Sequence, residues 1–216
     1  MKKKGFTLVE LLVVIAILAL LMSIVIITIN PAEILKKTRD TKRVSDLGAL
    51  RTSLNLYLTD KVSPLLAPTT DDCADNLYYS FTGTPPASAT KQGEDAGSNR
   101  IDPMTATSNR LTNGNGWIPV NFESISSGSP LSALPVDPTN ATSSTATSNL
   151  YYSYACNATS TYFEVNAPME STYYRLNGDG DVVSKDGGNC TTLYEVGNAP
   201  GLNLMSTSAA GFYQIP

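Results

Sequence analysis

Residues 6–29 form an almost unbroken apolar run in which only Thr7, Glu10, Ser23 and Thr28 carry polar side chains. At about 1.5 Å of rise per residue, such a run coiled as a helix can cross a hydrocarbon layer about 30 Å thick. A secretory signal peptide does not fit it, because the apolar stretch is too long and no A-x-A cleavage site follows. A plain membrane anchor fits the hydropathy but leaves Glu10 unexplained. An unpaired carboxylate inside a bilayer costs about 2.5 kcal/mol or more, so Glu10 needs a partner or a purpose.

The residues that open the run are more specific. Lys2, Lys3, Lys4 and Gly5 precede Phe6-Thr7-Leu8-Val9-Glu10. Gly-Phe-Thr-Leu-Xaa-Glu ahead of a long apolar helix resembles the class III leader of type IV pilins and type II secretion pseudopilins. The resemblance implies that a prepilin peptidase cuts between Gly5 and Phe6 on the cytoplasmic side and then N-methylates Phe6. Gly5 suits that cut, since a residue without Cβ lets a protease approach the backbone closely. It further implies that Glu10 pairs with the new α-ammonium of Phe6, on the same or a neighbouring subunit. The subunit would sit in the cytoplasmic (inner) membrane as a single-pass protein with its N-terminus cytoplasmic. An inner-membrane assembly platform would then build it, with copies of itself and other pilins or pseudopilins, into a filament at the cell surface or in the periplasm.

Charge counting alone argues against that orientation. Lys36, Lys37, Arg39, Lys42 and Arg43 lie just beyond the run, and by the positive-inside rule they compete with the leader lysines. The expected orientation therefore rests on the resemblance.

Asn30-Pro31-Ala32-Glu33 reads as a new helix start, with Asn30 as N-cap, Pro31 in the first turn and Glu33 completing a capping box. Pro31 disfavours helical geometry at Asn30, so the long helix should break there. Relatives often carry a helix-breaking proline earlier in the apolar segment, a feature this chain lacks. Val44, Leu47, Leu50, Leu54, Tyr57 and Leu58 recur at spacings of three and four, which predicts an amphipathic helix to about Thr59. Asp40, Lys42, Arg43, Asp46 and Arg51 are expected on its other faces.

The expected organisation is a leader at 1–5, a hydrophobic helix at 6–29, an amphipathic helix at 30–60, an irregular region at 61–149 and an antiparallel sheet region at 150–216. The fold class is α+β, with the second helix packed on a small sheet. Strands are predicted at 150–155, 162–166, 172–176, 182–183 and 192–196, from Tyr and Val enrichment, alternation and short turns. A shorter element is expected around 77–81. Tyr151, Tyr152, Tyr154, Tyr162, Tyr173 and Tyr174 read as cross-strand packing rather than a stacking platform for bases or sugars. Within the irregular region, Trp117-Ile118-Pro119 and Leu134-Pro135-Val136-Asp137-Pro138 look like the W-x-P and L-P-x-D-P segments that precede the sheet in secretion-type pseudopilins. The acidic group Asp71, Asp72 and Asp75 reads as solvated loop. The Thr/Ser-rich tract after Thr139 reads as exposed surface, and the N-glycosylation patterns at Asn140, Asn157 and Asn189 are expected to go unused.

Asn177, Asp179 and Asp181, at alternate positions of a Gly-rich turn, are candidate ligands for a hard cation such as calcium. The pattern departs from an EF-hand loop, and a plain hairpin turn is the competing reading. No cofactor is otherwise required. Cys73, Cys156 and Cys190 lack zinc-like spacing. One disulfide is allowed in an exported domain, and although three pairings exist, Cys156–Cys190 is the first choice because both fall in the expected sheet.

The net charge is −4, and loss of the three leader lysines takes it three units further, to −7. No general attraction for nucleic acid or anionic lipid follows from such a chain, so any such binding must come from a local patch. Histidine is absent, and no G-x-S-x-G elbow or P-loop occurs. The expected role is a structural subunit and not an enzyme. A membrane-tethered enzymatic or binding module is the alternative from another class.

Overall fold

The computed structural model describes residues 5–69, 73, 77–81, 109–140, 150–157, 159, 161–199 and 201. Lys2, Lys3, Lys4, Asp71, Asp72, Asp75 and the tract at 141–149 lie outside them. The architecture is α+β. Helix α1 runs Leu8–Ile29 and helix α2 Pro31–Asp60. Four short antiparallel strands follow: β1 (Tyr78–Tyr79), β2 (Ser153–Cys156), β3 (Phe163–Pro168) and β4 (Leu193–Gly197), adjacent in the order β1-β2-β3-β4.

Two helices form instead of one because of a single residue. Asn30 takes left-handed geometry (φ 44°, ψ 76°) and serves both as C-cap of α1 and as N-cap of α2. Proline after it forbids ordinary helical geometry at Asn30, and Asn tolerates the left-handed region better than most residues. The expected break is therefore at the expected residue. The expected capping box is only half formed: Asn30 Oδ1 accepts the Glu33 N–H at 3.4 Å, but the Glu33 carboxylate turns away to Thr172.

Among the described residues, nothing buries any residue of α1 from Leu8 to Ile26. Helix α2 packs across β3 and β4. Leu47, Leu50, Leu54 and Tyr57 form its apolar stripe, and each fully buried leucine contributes about 1.5–3 kcal/mol. Side chains alternate across the sheet as a strand repeat requires. Tyr152, Tyr154, Cys156, Phe163, Val165, Ala167 and Val196 join the α2 side. Tyr151, Ala155 and Leu193 turn to the opposite side, with Leu77, Tyr79, Phe81 and Cys190.

That alternation corrects the expected disulfide. Cys156 belongs to the α2 side of the sheet and Cys190 to the other, so the sheet itself separates them. The bond joins Cys73 to Cys156, and Cys190 is a buried free thiol.

Two predicted strands are also absent. Residues 172–176 and 182–183 form consecutive turns, closed by bonds such as Gly180 N–H to the Tyr173 carbonyl (3.0 Å) and Val182 N–H to the Tyr174 carbonyl (3.1 Å). The N–H groups of Ser171 and Thr172 are captured by Asp40 and Glu33 of α2, so the chain is bound to a helix and not to a neighbouring strand. Gly180 is held tightly: a Cβ there would lie 2.0 Å from the Tyr173 ring.

The proline-bearing segments lie over the open end of the core. Trp117, Ile118, Val120, Phe122 and Leu134 are buried in it. The Trp117 indole N–H donates to the Pro135 carbonyl at 2.9 Å, which ties the W-x-P segment to the L-P-x-D-P segment.

Candidate functional site

The start of α1 is a reciprocal cap. The Thr7 hydroxyl accepts the Glu10 N–H at 3.3 Å, while Glu10 Oε2 accepts the Thr7 N–H at 2.9 Å and the Thr7 O–H at 2.8 Å. Two backbone donors that a helix start leaves without partners are thereby satisfied. Threonine and glutamate three residues apart are what this capping box needs. Gly5 and Phe6 lie ahead of it, fully accessible: a Cβ on Gly5 would meet nothing within 4 Å, and Phe6 is 83% exposed. In this uncleaved chain Phe6 carries an amide rather than an ammonium, and the Glu10 carboxylate is bound to the next residue. Further along, Ser23 donates its hydroxyl to the Leu20 carbonyl at 2.8 Å, so it enters the apolar run with its donor satisfied.

Where α2 meets the rest of the globular part, the head, the junction is built from charges. Arg43, fully buried on α2, donates Nε and Nη2 to the two oxygens of Asp137 at 2.6 and 2.9 Å. Its Nη1 meets Asp40 at 2.7 Å and Glu170 at 2.6 Å. Arg39 holds the same Glu170 through two bonds, at 2.9 and 2.6 Å. Asp40 also accepts the N–H groups of Glu170 and Ser171, and Asp137 accepts those of Thr139 and Asn140. Burial alone would depress the Arg43 guanidinium, but Asp137, Glu170 and Asp40 outweigh it and hold it well above its ordinary value. Burial likewise pushes the Glu170 carboxyl up, and the two arginines override it and leave it below the usual range.

Three members of the basic cluster that confuses charge counting are thus paired with buried carboxylates, though only Arg43 is itself buried. Arg39 and Arg43 bind the head, Lys42 pairs with Asp46, and Asp46 accepts the Tyr152 hydroxyl at 3.0 Å. Asp40, Arg43 and Asp46, expected on the outer faces of α2, are buried.

The structure brings Asn177 and Asp181 together and leaves Asp179 exposed. Asp181 Oδ2 accepts the Asn177 N–H (2.9 Å) and the Ser184 O–H (2.8 Å), and Oδ1 accepts the Ser184 N–H (3.1 Å). Asn177 adopts φ 64° to close the turn. Among the described residues, no group of three or more Asp, Glu, Cys or His side chains converges on one point.

Sequence reasoning missed a second polar cluster, on the sheet face away from α2. The Asn166 amide donates to Glu164 Oε1 at 3.0 Å and to Glu195 Oε1 at 3.5 Å, with all three side chains buried. Glu195 Oε2 accepts the Cys190 N–H at 2.8 Å, and Asp186 Oδ2 accepts the Glu195 N–H at 2.8 Å. Burial pushes the Glu195 carboxyl up to about 8 despite the Cys190 bond, and the Glu164 and Asp186 carboxylates push the same way. Phe163-Glu164-Val165-Asn166 reads as an ordinary half-buried strand, and only the cover over its polar face changes the meaning.

Comparison with known proteins adds one finding. Residues 1–26 match the model of the prokaryotic N-terminal methylation motif. The start of the chain is thus a type IV pilin-like prepilin leader. With the apolar α1, this supports a type IV pilin-like, membrane-assembled protein of structural type, in which α1 is the candidate anchor. No curated protein and no solved structure matches the chain.

Proposed function

We propose that the chain is a structural subunit of a type IV pilus or related pseudopilus. Prepilin peptidase releases residues 1–5 and methylates Phe6. The mature subunit waits in the cytoplasmic membrane with Phe6 on the cytoplasmic side, until the assembly platform extracts it and α1 bundles with other copies. The observation that carries this reading is α1 itself: an apolar helix in which no residue from Leu8 to Ile26 is buried by the described part of the chain, opened by the methylation motif. Gly5 supports it as well. Nothing among the described residues crowds that position, and a residue without Cβ there leaves the backbone open to a protease.

Glu10 has two separable jobs in this scheme, the cap on Thr7 and a charge pair with the Phe6 ammonium. Glu10→Gln keeps an acceptor for the cap and removes the charge, whereas Glu10→Ala removes both. If the pair sets helix register, both variants insert into the membrane and both assemble poorly. Filament yield restored by glutamine would assign Glu10 to capping alone.

Between the two kinds of filament, the Trp117-to-Pro135 tie and the Arg43-to-Asp137 pair favour a pseudopilin-like head, because both use the W-x-P and L-P-x-D-P segments. N-methylated Phe6 recovered from sheared surface fibres would make the subunit a displayed pilin, and recovery only from membranes would make it a pseudopilin or minor subunit. A calcium ion at Asn177, Asp179 and Asp181 is part of the proposal. It requires Asp181 to exchange turn hydrogen bonds for the cation.

A further inference from the structure

Of the five cations just past the apolar run, three are committed to carboxylates at or below the surface of the head: Arg39, Lys42 and Arg43. The two nearest the run are held more loosely. Lys36 lies 3.8 Å from Glu33 with its side chain 43% exposed. Lys37 is exposed, makes no ion pair among the described residues, and sits with Nζ 3.3 Å above the centre of the Tyr173 ring. Beside them on α2, Ile34 and Leu35 are 50% and 61% exposed. They point away from the stripe formed by Glu33, Asp40 and Arg43, which binds the head. Four consecutive residues of a helix spread round its axis, so they form a collar at the start of α2, with two large apolar side chains turned away from the head and two accessible ammonium groups beside Glu33 and Tyr173.

Its height follows from helix geometry. Leu35 lies six residues beyond Ile29, at most about 9 Å further along the axis. Any bend at Asn30 brings it closer to the membrane. The polar layer on each side of a bilayer is about 5–8 Å deep, and a lysine can reach back along its own stem to place its charge at that level. The 170–172 segment descends alongside, bound to Asp40 through Ser171 and to Glu33 through Thr172.

We propose that this collar, Ile34, Leu35, Lys36 and Lys37, sits in the headgroup layer of the outer leaflet, with the apolar pair turned to lipid and the lysines binding anionic phosphate headgroups, holding the head upright before extraction. The proposal rests on the reading of α1 as a membrane span. Continuity with that span singles out lipid as the occupant, and the two lysines supply the complementary charge. Each basic side chain at an anionic surface is the kind of contact that salt weakens.

The test uses the full chain in lipid nanodiscs, with spin labels placed one at a time by Leu35→Cys, Ile17→Cys and Thr52→Cys. Accessibility to a water-soluble nickel complex is then compared with accessibility to oxygen. The label at 35 is expected to be several-fold less accessible to nickel than the label at 52, and shallower than the label at 17. It should move deeper when phosphatidylglycerol replaces phosphatidylcholine. Adding Lys36→Gln and Lys37→Gln should abolish that lipid dependence while lowering the melting temperature of the head by only a few degrees, the cost of two exposed contacts to Glu33 and Tyr173. A water-exposed label at 17 would refute the membrane span itself. A deep label at 17 beside a fully aqueous label at 35 refutes only this inference. So does a depth at 35 indifferent to phosphatidylglycerol and to the double substitution, or protection of 35 seen solely in lipid-free fibres, which would give the collar to a neighbouring copy.

Discussion

Removing the Arg43 guanidinium tests the charged junction most directly. In Arg43→Met the aliphatic volume is largely kept, but Asp40, Asp137 and Glu170, all buried, are left facing only Arg39. Breaking a buried ion pair from one side costs about 3–5 kcal/mol, because the stranded charge has neither water nor partner. For a chain of 216 residues this is a fall in melting temperature of about 6–20 °C. The single tryptophan, Trp117, is buried in the core beside Tyr152, so its fluorescence reports the loss of the head in detergent-solubilised full-length chain. Acid provides the sharper criterion. In the wild type the Glu170 carboxyl is held below its unfolded value of about 4.5, so its stabilisation is present above that pH and is lost as the pH falls. In Arg43→Met the Glu170 carboxyl keeps Arg39 but loses Arg43, so the part of its stabilisation that came from Arg43 is absent at neutral pH and is lost from the wild type as well in acid, and acid should narrow the gap between variant and wild type. A loss under about 2 °C at neutral pH, below even 1 kcal/mol for a chain this size, would refute the reasoning. So would a gap that widens with acid. Lys42→Met, which breaks a pair with one exposed partner, should cost under about 1 kcal/mol.

Non-reducing peptide mapping should recover a Cys73–Cys156 bridge, with Cys190 alkylated only after unfolding. Cys156→Ser should cost about 4 kcal/mol, since the bridge closes a loop of 83 residues. Because the Glu195 carboxyl is raised to about 8 in the folded chain, stability from this group is greatest below about pH 4.5, declines as the pH rises towards 8 and is level above it. Glu195→Gln should therefore gain most over the wild type above pH 8, and a gain confined to acid would contradict the raised value. Calcium should raise the melting temperature of the wild type but not of the Asp179→Asn, Asp181→Asn double variant. An equal response from both would remove the turn as a calcium site.

The parts of the fold that follow local rules are visible in the residue order. The apolar run, the break at Asn30-Pro31, the stripe of Leu47, Leu50, Leu54 and Tyr57 and three of the predicted strands need only periodicity and caps, which act within a few residues. What escaped depends on partners far along the chain. Arg43 meets Asp137 across 94 positions and Arg39 meets Glu170 across 131, and a charged residue on a helix carries no local mark of such a partner. Thr172 and its tyrosines have strand composition, but Glu33 and Asp40 claim the backbone donors a strand would have used. The same blindness separates Cys156 from Cys190: sequence places both near strands, but only the phase of the alternation, fixed by which face meets α2, sets them on opposite sides. The N-terminal segment was legible for the converse reason. In the proposed scheme its requirements come from outside the chain, from a peptidase, a bilayer and neighbouring helices, and the methylation motif that matches residues 1–26 is a short linear pattern that needs no distant partner within the fold.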